Sequence, residues 1–287
     1  MKCGMAEWSV FVPGHITAFF TPLPHEDPVR AGSTGAGITI SRGVEVCVEP
    51  ADATRLILNA DEQQIAPVVG ALEELDVQAT VKITSELPLG TGFGISGAAT
   101  LGSVLGANHI FDCGLTENDA IEIAHRAEVR AGTGLGDVVA QARGGMPIRW
   151  KPGGPSVNEI DAIPEAHRIE YVTFGTLSTA DVLRESAGSI TPAGERALAA
   201  LRDNPSSERL MNAARQFASE SGLLTDQLGT VIDRVEAAGG QASMAMLGRT
   251  VFALGTGLSD AGYDPVVCRT HGGGPEYRWN SGSQSKG

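Results

Sequence analysis

Two compact domains that mix strands with helices are what this sequence predicts, on three observations. At 287 residues the chain exceeds what one small core organises well and suits two. Its first part carries alternating, β-branched segments that give way to helical spacing. A break rich in proline and glycine, Pro152, Gly153, Gly154 and Pro155, then separates the halves. The boundary is placed just after it, giving domains 1–160 and 161–287.

Taken in order, Glu7 to Val12 and Gly37 to Glu49 have strand character, with "TPLPHEDPVRAGSTGAG" between them expected as a loop. The alternation in "VQATVKITSEL" predicts a strand ending at a glycine-rich turn. Ser96 to His109 follows with small and apolar residues at helical spacing, its glycines lowering propensity so that packing must hold it. In "LTENDAIEIAHRAEVRAG", Thr116 and Asp119 form a capping-box pattern for a helix that ends at Gly132. A second glycine-rich turn leads to a short helix carrying Asp137 and a strand from Met146 to Trp150. The second half predicts a strand at about Ile169 to Thr173 and helices near Pro192 to Arg202, Glu208 to Ser221 and Thr225 to Ala238, with Pro192 at a helix start. "ASMAMLGRTVFALG" reads as a hairpin around Leu247, Gly248 and Arg249, and the polar end of the chain is expected to be loose.

Composition narrows the function classes. Hydrophobic residues make up 42% and charged residues 19%, with no apolar run of membrane-spanning length. The amino terminus lacks the layout of a secretory signal. Cys3, Cys47, Cys113 and Cys268 are too scattered for a zinc or dithiol motif and are expected to be reduced thiols of a cytoplasmic enzyme. A net charge of −13 argues against a nucleic-acid partner. The 21 Lys plus Arg include only four lysines, and an acidic, lysine-poor surface suits a high-salt cytoplasm, although solubility alone also accounts for the acidity.

The turn "LPLGTGFGISGAAT", Leu87 to Thr100, carries the chemistry. Its Gly92-x-Gly94-x-x-Gly97 spacing matches a dinucleotide turn, but Pro88 and its neighbours intervene after the strand, and Asp112 follows a helix with no strand to carry it. A Walker loop needs a lysine at its end, and Lys82 lies on the wrong side. Two readings stay open from the residues alone: a tight strand-to-helix turn, or a lysine-free phosphate cradle. In the second, backbone N–H groups and the helix dipole hold a triphosphate, and Ser96 offers a hydroxyl to its magnesium.

This segment resembles the second motif of the GHMP kinases, with Pro88 at its head, Phe93 and Ile95 at variant positions and Ser96 at the second serine. "VPGHITAFF" is similar to the first motif, with His15 where a basic residue is usual. "AEVRAGTGLGDVVAQARGG" resembles the segment bearing an acidic magnesium ligand and a catalytic aspartate, matching Glu128 and Asp137. The third motif is matched only by a degenerate "SMAMLGRTVFAL". Within the superfamily, "GSTGAGITI" and these segments are most similar to the archaeal pantoate kinase family. The resemblance implies an α+β fold of two domains, the first like domain 2 of ribosomal protein S5 and the second ferredoxin-like. It also implies ATP and Mg2+ as cofactors, transfer of phosphate to the 4-hydroxyl of pantoate for coenzyme A synthesis, and a homodimer. Another small alcohol, or nucleotide binding without catalysis, remain the alternatives.

Phosphoryl transfer requires a phosphate cradle, a metal site and a group that takes the hydroxyl proton. Pro88, Gly90, Gly92, Gly94 and Ser96 are assigned to the nucleotide, Ser96 and Glu128 to the metal, and Asp137 to the base. A hydroxy acid also needs a cation and short hydrogen-bonding groups. Arg149 is assigned to its carboxylate with Arg143 in reserve, and His125, Ser33 and Thr179 to further contacts, although a turn hydroxyl can equally cap backbone and a helical histidine can simply pack.

Overall fold

In the computed structural model the described residues are 8–176 and 179–279, with backbone only for 179–187. The chain builds two sheets. The larger starts with two long antiparallel strands, β1 (Trp8–Leu23) and β2 (Gly32–Pro50). Their register runs from Val10↔Val46 to Leu23↔Gly32, so most of the segment expected as a loop is strand. Local composition favours a turn there, but pairing across the hairpin satisfies the backbone and buries Thr21, Ser33 and Thr34. Ser33 is therefore a strand residue. Two register shifts, at Pro13/Gly14 and Thr17/Phe19, bracket His15 to Thr17 and re-aim their side chains, as bulges near functional sites do.

Beside β2 lie β5 (Ala79–Ser85), β3 (Arg55–Leu58) and β4 (Asp61–Gln63), and farther along the same edge of β2 lie β6 (Met146–Lys151) and β7 (Glu159–Ile163). β5 pairs with β2, and β6 joins β2 through Gly35↔Arg149. Helices α1 (Ala66–Glu74), α2 (Ile95–Phe111), α3 (Glu117–Ala131) and α4 (Asp137–Arg143) complete this part. α2 is buried nearly all round. At Gly102 a Cβ would stand 2.6 Å from Val46 Cγ2, so the glycines that weaken the helix are what let it press onto β2. The capping box of Thr116 and Asp119 forms on α3, and Gly132 ends that helix in the left-handed region.

The smaller sheet consists of β8 (Arg168–Thr173), β9 (Ala242–Ala245), β10 (Thr250–Leu254) and β11 (Val266–Arg269) in the order β11-β8-β10-β9, all antiparallel. α5 (Thr179–Arg202), α6 (Ser207–Glu220) and α7 (Asp226–Ala237) connect β8 to β9, and α8 (Gly257–Asp260) precedes β11. This is the β-α-β-β-α-β succession of a ferredoxin-like unit. Pro192 lies inside α5 rather than at a helix start. The hairpin expected around Leu247 to Arg249 is β9 and β10.

The two sheets share one core. Phe19 and Phe20 of β1 meet Phe217 of α6 at ring separations of 6.4 and 5.8 Å, and Phe93 meets Tyr171 of β8 at 4.7 Å. A boundary at residue 160 cuts β7, and β12 (Glu276–Trp279) returns to pair with β1. The second part of the chain thus completes the first sheet. Cys47 is disulfide-bonded while Cys113 and Cys268 are free, which corrects the expectation of four reduced thiols: separation along a chain says nothing about distance across a fold. Among the described residues no helix is long and apolar enough to cross a membrane.

Candidate active site

The glycine turn lies between β5 and α2, against the β9–β10 turn. Gly94 caps α2 in the left-handed region (φ 63°), and no side chain caps that end. The first N–H groups of α2 are thus left for a ligand, at the positive end of a long helix. The turn is pinned at several points: His15 N–H donates to Phe93 O at 3.0 Å, Thr91 Oγ1 to Pro88 O at 2.7 Å and Thr250 Oγ1 to Thr91 O at 2.8 Å. Gly94 and Gly97 have a further purpose. A Cβ on Gly94 would come within 2.9 Å of Asp137 Cγ, and one on Gly97 within 3.1 Å of Gln141 Oε1. Their lack of side chains is what lets α4 dock on the turn, where Gln141 Nε2 donates to Gly94 O at 2.8 Å. The spacing that imitates a dinucleotide motif is set by this docking.

Asp137 is the first residue of α4, and its side chain is 25% exposed. Its Oδ1 accepts from His15 Nδ1 at 2.7 Å and from Thr17 Oγ1 at 3.4 Å. Burial works against its charge, but the His15 contact, the positive Arg149 and the Thr17 hydroxyl outweigh it and hold the carboxyl below its ordinary pKa. It stays an ionised acceptor at neutral pH.

Glu128 has the opposite setting. It is 2% exposed, and burial pushes its pKa up, with the charge of Asp137 adding to the effect, despite hydroxyl donors from Ser96, Thr133 and Thr100. Those bonds measure 2.7 Å from Ser96 Oγ and 2.9 Å from Thr100 Oγ1 to Oε1, and 2.8 Å from Thr133 Oγ1 to Oε2. Among the described residues no cation pairs with it. The donor set of one carboxylate ringed by hydroxyls is hard oxygen, which fits a magnesium ion that takes its remaining ligands from phosphate and water.

Arg149 is 2% exposed on β6, where Nε and Nη2 donate to Ser33 O and Ser33 Oγ at 3.3 and 3.4 Å. Its Nη1 is buried without a hydrogen-bond partner among the described residues. Burial lowers its pKa to about 10, against the pull of Asp137, so it remains a cation at neutral pH. His125 is buried, its Nε2 bonds to Ala31 O at 2.9 Å and burial lowers its pKa. It ties α3 to the residue that precedes β2. Arg143 is partly exposed and faces Asp161 at 3.9 Å. Thr179 begins α5, and its side chain lies outside the described residues.

A cavity of about 440 Å³ gathers these groups. Gly90, Gly92, Gly94 and Ser96 form one wall, and Ser33, Asp137 and Arg149 another. Glu128 stands behind Ser96 and Thr133, which line it, whereas Pro88 and His125 do not. Pro88 instead offers its carbonyl to Thr91, shaping the turn from outside. Sequence reasoning missed Thr17, Thr100, Thr133 and Gln141. All four fall inside segments already singled out, Thr17 in the first motif, Thr100 at the end of the glycine turn, and Thr133 and Gln141 in the stretch that carries Glu128 and Asp137.

Residues 64–145 match the GHMP kinase N-terminal domain. A pantoate kinase of Thermococcus kodakarensis is 37% identical over 262 residues, covering 85% of this chain and 86% of that protein. The chain belongs to the GHMP kinases, in the pantoate kinase family. A second relative of this GHMP kinase, the pantoate kinase of Methanospirillum hungatei JF-1, is 37% identical over 260 residues, covering 86% of this chain and 87% of its own. A solved structure described as a phosphotransferase related to the CoA biosynthesis pathway superposes with a TM-score of 0.85 at 32% identity, over 96% of this chain and 99% of that one.

Proposed function

We propose that this protein is an ATP-dependent kinase that phosphorylates the primary hydroxyl of pantoate to give 4-phosphopantoate. The observation that carries the reading is one cavity joining an ionised Asp137, a buried Arg149 with a spare N–H, and the uncapped N-terminus of α2. ATP phosphates lie against Gly90 to Ser96, where backbone N–H groups and the helix dipole offset their charge. Arg149 and Ser33 take the pantoate carboxylate, a pairing strengthened by burial. The hydroxyl oxygen attacks the γ-phosphorus and ADP departs as the bridging P–O bond breaks, while the hydroxyl proton passes to Asp137. Ser96 and Glu128 would hold a magnesium ion, which would neutralise charge on the phosphates. His125 contributes by fixing Ala31, and with it the strand that presents Ser33, rather than by touching substrate.

Purified protein given ATP, Mg2+ and a panel of alcohols tests the assignment. ADP release with pantoate and not with mevalonate or homoserine is expected; the reverse pattern rejects the substrate. We further infer a cytoplasmic homodimer from an archaeon, supported by the likeness to the pantoate kinases, and adaptation to high salt, supported by the acidic, lysine-poor composition. Thermal unfolding in rising KCl checks the adaptation, with equal stability at low and molar salt refuting it, and sedimentation checks the dimer.

A further inference from the structure

Asp137 does not hold its position alone, and the group that holds it is unusual in having no partner on its other side. His15 is fully buried on the bulged part of β1. Its Nδ1 lies 2.7 Å from Asp137 Oδ1. Its Nε2 is buried with no hydrogen-bond partner among the described residues and rests against Gly37 of β2, where a Cβ would collide with it. One ring proton must choose between the two nitrogens. At Nδ1 it makes a charge-assisted bond to a carboxylate; at Nε2 it would be a buried donor without an acceptor, which is the costly case.

We infer that His15 is a positioning residue, locked as the neutral Nδ1–H tautomer, which fixes the orientation of Asp137 so that one carboxylate oxygen is free for the substrate hydroxyl. Both hydrogen bonds that Asp137 accepts among the described side chains fall on Oδ1, from His15 and Thr17, which leaves Oδ2 for the incoming proton. The lock also excludes two other roles. With no described protein group at Nε2 to take a proton onward, the geometry assigns His15 to positioning and not to a relay. Burial lowers its pKa although Asp137 opposes this, so it adds no positive charge at neutral pH. The cation of the site is Arg149 on β6, and the other ionisable group bearing on Asp137 is Glu128 on α3. This assignment rests on the kinase reading for its kinetic consequence, but the tautomer is a property of the unliganded chain.

The test uses both levels. Long-range 1H–15N spectra of the full-length protein labelled at histidine should show His15 with a protonated Nδ1, a bare Nε2 and no titration between the ordinary histidine value of about 6.5 and a pH of about 9. A protonated Nε2, or a midpoint inside that range, overturns the lock whatever the substrate proves to be. In kinetics, His15→Leu should lower kcat by about 100-fold, the scale of a misplaced reacting group, with KM for ATP unchanged. It should also move the acid limb of kcat/KM to higher pH, because Asp137 loses its main donor. His15→Asn, whose amide can stand where Nδ1 does, should recover most of kcat. Wild-type kcat in a folded His15→Leu, or a His15→Asn variant no better than His15→Leu although folded, would reject the positioning role. Absence of pantoate turnover in the wild type would instead reject the substrate assignment and leave the spectral result standing.

Discussion

Asp137 and Glu128 are carboxylates on adjoining turns of chain at one cavity, and their surroundings drive them apart. Asp137 faces the cavity, receives a histidine and a threonine and lies in the field of Arg149, so its pKa is lowered. Glu128 sits behind the wall with hydroxyls only and no cation among the described residues, so its pKa is raised. Pairs of acids separated in this way divide the labour of catalysis. One is ready to accept a proton at neutral pH, while the other is ionised at a cost until a cation arrives. The lesson is that a carboxylate's role follows from which elements reach it.

The comparison can be broken experimentally. The largest effect belongs to Asp137→Ala, which should reduce kcat at least 1,000-fold, roughly the worth of a positioned base, while calorimetry shows ATP binding largely kept. A variant that retains turnover would strip Asp137 of its role. Arg149→Met should come next, raising KM for pantoate about 100-fold, as expected for the loss of a buried charged hydrogen bond, with KM for ATP little changed.

Ser96→Ala and Glu128→Gln sharpen the other half. Ser96→Ala should lower kcat by about 10-fold, taking one lost hydroxyl contact as roughly 1.4 kcal/mol, and leave the thermal midpoint near that of wild type; an unfolded variant would make the turn merely structural. Glu128→Gln should lose magnesium-dependent turnover and yet raise Tm by about 2 °C, if about 1 kcal/mol is recovered. The sign follows from linkage. A carboxyl whose folded pKa is raised favours the native state at low pH and loses that advantage as pH rises through the folded pKa. The gain from glutamine should therefore be seen at neutral pH and vanish in acid. A lower Tm at pH 7 would mean that the ionised carboxylate is a net stabiliser here.

Much of the fold was readable because local signals agreed with it. The capping box on α3, the left-handed Gly132, the alternating β5 and the hairpin of β9 and β10 all lie where short-range pattern placed them. The long β1–β2 hairpin was truncated in the reading because Pro22, His25 and Pro28 look like loop, while its strand pairing is set across the sheet. Short elements such as β3, β4 and α8 carry too few residues for a period to show. Of the residues nominated from sequence, Ser33, Arg149 and Asp137 line the cavity together with Gly90, Gly92, Gly94 and Ser96 of the turn. His125 is outside that lining and bonds to Ala31 O, since a helix period gives the face of a residue but not what packs there.

By itself the sequence determined which chemical groups are present and in what local order: a lysine-free glycine turn ahead of a buried helix, a glutamate closing a capped helix, and an aspartate opening the next. Tertiary structure decided what they are worth. His15 comes from 122 positions before Asp137, and Ser33 from 116 before Arg149. Ionisation depends on distance and burial through space, so only after β1, β2 and β6 close around α4 does Asp137 become the charged member of the pair and Glu128 the one that awaits a cation.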